Sequence, residues 1–196
     1  MKNIVLLLTV VISLALSAPA FSQANDSEVI TLKATMASTL VLNLESTPVA
    51  FDFYTISDYQ NGMGADKSSG MNATSGNIVS TTNWALAVVA QSQMIHNDGI
   101  SVLPMDNIGL TVDFTGYNKV KNYAKNHPLA LSNSETTIIG QQGNQSNAGN
   151  EEANSFTIYW EMGTRQGNMR NESLMEQDLK KGNYNMDVAF VVSEVF

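Results

Sequence analysis

From Ile30 onward the apolar residues of this chain fall largely on alternate positions: Ile30, Leu32, Ala34 and Met36, then Leu40, Leu42 and Leu44, with Thr31, Lys33, Thr35 and Thr39 between them. A period of two is the side-chain repeat of a strand with one buried face. The spacing predicts one long strand, or two shorter ones broken near Ala37-Ser38. After Pro48, a further strand is expected where Val49, Phe51 and Phe53 alternate with Ala50, Asp52 and Tyr54. Residues 59–77 lack periodicity and are rich in Gly, Ser and Asn, so they read as a long loop. Residues 78–91 read as one strand with Trp84, Leu86, Val88 and Ala90 on one face and Ala85, Ala87 and Val89 on the other. With both faces apolar, it belongs in the middle of a sheet.

Ile108, Leu110, Val112 and Phe114 mark another strand, and Phe156, Ile158 and Trp160 one more. Tyr117 to Pro128 reads either as a helical turn or as an ordered loop. Leu129–Leu131 and Thr136–Ile139 are expected as short edge strands, and residues 140–154 as a polar, low-complexity loop. A last strand follows from Tyr184, Met186, Val188, Phe190 and Val192. Seven or more short alternating segments joined by polar turns, without a long amphipathic helix, predict an all-β fold. It is an antiparallel Ig-like β-sandwich with long polar loops. Its expected core includes Trp84, Leu86, Trp160, Tyr184 and Phe190, and no fixed-period repeat points to a propeller or solenoid.

The first residues change the picture of where this sandwich works. Lys2, the apolar run Ile4–Leu16 and the small-x-small Ser22-Gln23-Ala24 have the form of a cleaved export signal over residues 1–24, with Ala18-Pro19-Ala20 as an alternative cut. Residues 25–196 then form a single domain that is periplasmic, on the cell surface or secreted. The apolar run is about two-thirds of the roughly 20 residues that span a bilayer, so stable membrane insertion is not expected. Eighteen acids stand against ten bases, nine once Lys2 is removed, so the mature chain carries a net charge of −9. Such a charge disfavours nucleic acid as a partner. There is no cysteine, which excludes a thiol nucleophile and a cysteine zinc site and leaves packing to hold the fold.

Candidate chemistry is sparse. His96 and His127 sit in polar segments without spaced partners and read as surface residues. Neither a nucleophile elbow nor a zinc-helix motif, a phosphate loop or a dinucleotide fingerprint occurs, and Glu151-Glu152 reads as solvated charge, so no enzyme is expected. Asp58, Asn61 and Asp66 lie near glycines as oxygen ligands for calcium would, but without EF-hand spacing, and a plain glycine-rich connection competes with that reading. Trp84 and Trp160 are in phase with apolar neighbours and belong to the core rather than to a sugar platform. Tyr59, Tyr117 and Tyr123, near loops, stay open as ligand contacts, and Lys119, Lys121 and Lys125 read as a solvated loop that meets an acidic neighbour.

Trp84-Ala85-Leu86, together with Gly182, Tyr184 and the closing Phe190-Val191-Val192, resembles exported WxL-type surface domains. The Gly-x-Tyr strand of alternating apolar residues is also similar to that of the spore-coat-U and chaperone–usher pilin group. Phe190 stands where the WxL pattern has its second tryptophan, and the cysteine pair of many usher pilins is absent. The resemblance implies a non-catalytic, structural or adhesive surface subunit, pilin-like or of a surface layer. Its partners would be copies of itself or other subunits, met through strand edges. The alternative is a module that binds glycan or cell-wall polymer through loop aromatics.

Overall fold

The computed structural model describes residues 31–45 and 48–196. The expected signal peptide over residues 1–24 and the first strand residue, Ile30, lie outside them. The chain divides into two compact units, Met1–Met36 and Ala37–Phe196. Of the first unit, residues 31–36 have no regular secondary structure and are exposed throughout.

The described part of the second unit is built from twelve strands: β1 (Leu40–Leu44), β2 (Ala73–Ser80), β3 (Trp84–Ala90), β4 (Met94–His96), β5 (Val102–Leu103), β6 (Ile108–Phe114), β7 (Val120–Asn122), β8 (Leu129–Ala130), β9 (Thr136–Gln141), β10 (Ser155–Met162), β11 (Tyr184–Asn185) and β12 (Val188–Glu194). One short helix, α1 (Ile56–Asn61), and two 3-10 turns, Met105–Asn107 and Glu152–Asn154, complete the elements. The strands form an antiparallel β-sandwich. One sheet has the order β1-β2-β10-β6-β8, the other β12-β3-β9-β7, and a small third sheet runs β11-β4-β5.

Alternation determines which side chains meet between the sheets. On β10 the buried positions are Phe156, Ile158, Trp160 and Met162; on β6, Ile108, Leu110 and Val112; on β3, Trp84, Leu86, Val88 and Ala90. Trp84 and Leu86 are fully buried, Trp160 is buried, and Phe190 and Tyr184 are half-buried against the same cluster. The Phe190 ring meets Trp160 edge-on at 6.0 Å between centroids, which ties a strand of one sheet to a strand of the other. Each indole N–H finds a partner: Trp84 Nε1 donates to the Asn147 carbonyl at 2.7 Å and Trp160 Nε1 to Thr74 Oγ1 at 3.0 Å.

Several expected elements differ. The strand anticipated from Ile30 begins only at Leu40, because its ladder partner β2 ends at Ser80 and the chain then turns through Thr81–Asn83 into the other sheet. Residues 78–91 are therefore two strands in opposite sheets, not one. Val49, Phe51 and Phe53 do turn toward the core, but no ladder forms there, and Pro48 has no N–H to donate to one. The expected loop of residues 59–77 contains the end of α1 and the start of β2. Tyr117–Pro128 is not helical: it is β7 flanked by turns, and β9 is an inner strand between β3 and β7. Among the described residues, no helix is long and apolar enough to cross a membrane.

Candidate functional site

The inner strands β3 and β10 bury every second side chain, whereas β1 and β12 bury none fully. Leu40, Leu42 and Leu44 on β1, and Val188, Phe190 and Val192 on β12, pack against the core yet stay partly open to solvent. β1 and β12 are the terminal strands of their sheets, each with a single ladder neighbour, and they approach one another across the sandwich. The result is a seam: two strand edges without a ladder partner among the described residues, with a row of unfinished apolar burial between them. Val49, Phe51, Phe53 and Met186 add to this set of half-buried side chains. An open edge of this kind is a template for another strand.

At one end of β12 the chain is held by a polar cluster. Asp98 accepts from the backbone N–H groups of Ile100 and Ser101, both at 2.9 Å, from the Ser101 hydroxyl, and from Lys180 Nζ at 2.9 Å. The Ile100 N–H, then Lys180 and the Ser101 N–H, hold its carboxyl far below the ordinary value of 3.8. His96 is buried, not a surface residue as its polar neighbours implied. Its Nε2 donates to the Lys181 carbonyl at 3.0 Å, and its Nδ1 accepts from the Asp98 N–H at 3.1 Å. Gly182, at φ +143°, lies so close to this ring that a Cβ would fall 2.2 Å from Nε2. The segment leading into β11 is thus latched to the turn after β4, with the Tyr184 hydroxyl donating to the Lys180 carbonyl at 2.8 Å.

The remaining candidates are scattered. Asp58 forms a capping box at the start of α1, accepting from the N–H groups of Tyr54 and Thr55, and these bonds lower its pKa. Asn61 donates to Ser57 Oγ, and Asp66 is held at about 2 by Ser68 and Ser69 in its own turn. The three serve separate local roles, and the described residues contain no cluster of three or more His, Asp or Glu able to hold a metal ion. Tyr59 is half-buried beside Phe53 at 5.5 Å, away from exposure, while Tyr117 is 69% exposed and Tyr123 carries Lys121 over its ring at 4.7 Å. Burial raises the pKa of Glu161, opposed by the Thr164 hydroxyl that donates to it and by Lys67.

Sequence reading missed a buried amide network. Asn147, fully buried, accepts from the Trp84 N–H at 3.0 Å and donates to the Trp84 carbonyl at 2.9 Å, so its side chain pairs with β3 as a peptide unit would. Asn118 donates to the Asn147 and Ala148 carbonyls and to Asn154 Oδ1, and Asn154 in turn to the Ile78 carbonyl. The segment that looked like low-complexity loop is therefore anchored at Asn147 and Asn154; only the burial of these amides, not their composition, marks them. No protein-family model matches the chain, and no curated protein matches its sequence.

Proposed function

We propose that this protein is a non-catalytic, structural or adhesive subunit of the exported cell surface that joins copies by strand addition. In this reading the segment Leu32–Met36 of one copy lies along the seam between β1 and β12 of the next. The observation that carries it is a pair of matching deficits. The seam has two unladdered edges with half-buried Leu40, Leu42, Leu44, Val188, Phe190 and Val192, and Leu32 and Met36 are each 93% exposed on alternate positions. A strand with apolar residues at i, i+2 and i+4 delivers one apolar face and a full set of backbone donors and acceptors. Leu32, Ala34 and Met36 have that spacing. The polar chemistry supports a structural role, because His96, Asp58 and Asp98 are all spent on turns, caps and the latch.

The test compares the chain from residue 25 with one starting at residue 38, by light scattering across a wide concentration range. The longer chain is expected to associate and the shorter to stay monomeric. Leu32→Lys with Met36→Lys should behave like the deletion, and a synthetic peptide of residues 28–38 should raise the melting temperature of the shortened protein. A longer chain that remains monomeric, with melting unchanged by the deletion or the peptide, overturns the proposal.

A further inference from the structure

The loop between β6 and β7 has a feature that strand addition does not use. A crevice of about 280 Å³ is lined by Asp113, Asn118, Lys119, Asn122 and Lys125, among others; Tyr117 is not a lining residue but stands in the chain between two that are, Gly116 and Asn118. That volume is near the lower end of small-ligand sites, ~300 Å³ and upward. We infer that this crevice binds a carboxylate-bearing sugar unit of an acidic polysaccharide, an inference independent of how copies associate.

Charge is the first reason. On a chain of net charge −8, Lys119 and Lys125 are exposed and take no ion pair among the described residues. Four of the other bases are engaged: Arg170 with Asp106, Lys180 with Asp98, Lys67 over Tyr159 and Lys121 over Tyr123. The lining holds two lysines against one acid, Asp113, so the crevice is net positive on an acidic chain and favours an anionic ligand.

Rigidity is the second. The Asn118 amide is tied to the Asn147 and Ala148 carbonyls and to Asn154, each within 3.0 Å. Asn122 donates to the Val112 carbonyl at 2.8 Å and accepts from the Ala124 N–H at 3.1 Å. A wall fixed in this way costs little ordering when a ligand arrives.

Aromatic exposure is the third. The Tyr117 ring is 69% exposed while its hydroxyl reaches Asn150 Oδ1 at 3.4 Å, which restrains it. A flat, amphipathic ring suits the C–H face of a sugar. The Asp113 carboxylate, in the same lining as the lysines, would accept from sugar hydroxyls, a role that a bare phosphate or sulfate would leave unfilled. The crevice has no arginine among its lining residues, whose fork would favour phosphate.

The experiment titrates the protein from residue 25 with an oligogalacturonate and with its methyl ester, which keeps the rings and removes the charge. The acid form should bind saturably and about tenfold more tightly than the ester, the size of one lost charge-assisted contact. Lys119→Ala with Lys125→Ala should weaken the acid form at least tenfold with melting near wild type, and Tyr117→Ala should weaken both forms. Any of four results overturns the inference: equal binding of acid and ester, no saturable binding by folded wild type, unchanged affinity in both variants, or binding matched by inorganic sulfate or poly-glutamate.

Discussion

Asn147 does the work of two backbone groups with one side chain, since its amide closes both the N–H and the carbonyl of Trp84 at a fully buried site. Asn147→Ala leaves those two groups without partners and is expected to cost about 3 kcal/mol, measured by urea unfolding. Replacing the exposed Asn144 should cost under ~0.5 kcal/mol. At Asp98 the folded pKa is depressed, so its stabilisation is present above the unfolded value near 4 and is lost as pH falls through the folded one. The melting temperatures of wild type and Asp98→Asn should therefore differ most above about pH 5, with the gap narrowing steadily as pH falls below about 4; a gap that stays constant with pH would refute the latch. Residue roles of this kind were the least legible in the sequence. Polar neighbours made His96 look like a surface group, because nothing local records that Gly182 and Lys181 come to lie against its ring.

At the scale of elements, legibility followed the apolar alternation. β3, β6, β10 and β12 carry large side chains on alternate positions; β6 and β10 were read as single strands, whereas β3 and β12 were read only as parts of longer ones, because the segment from Tyr184 to Val192 divides into β11 and β12 in different sheets. β2 escaped because its core-facing positions are Thr74, Gly76, Ile78 and Ser80, of which only one is large and apolar. Gly76 is needed there, since a Cβ would come within 2.6 Å of Leu44 and 2.8 Å of Phe156. Small residues on β2 make room for neighbours, so the strand is determined by what packs over it. The seam was invisible for the complementary reason: Leu42 and Val192 have the same pattern as fully buried residues, and only tertiary structure shows them half covered.

On the scale of the molecule, the antiparallel sandwich was readable from the count and length of the alternating segments, but the strand order was not, because it depends on pairings between distant parts of the chain. β12 joins β3 in register, Phe190 opposite Val88 and Val192 opposite Leu86, and Phe190 then spans to Trp160 in the other sheet. Phe190→Ala removes that bridge and should cost about 3 kcal/mol, at the lower end for a core phenylalanine because the ring is only half-buried. The check is equilibrium unfolding in parallel with Phe196→Ala, which is fully exposed and should be silent.

The pairing of β12 with β3 also governs the order of events when the chain is made. Residues 84–90 emerge from the ribosome about a hundred residues before their partner, and domains fold as units rather than strand by strand. During that interval one side of β3 is bare, and Trp160 lacks its ring neighbour, the state most prone to mispairing with another chain. Closure by a late strand spanning such sequence separation is intrinsically slow. Cells that make this protein thus face a waiting period in which a factor that holds the bare edge of β3 would raise yield.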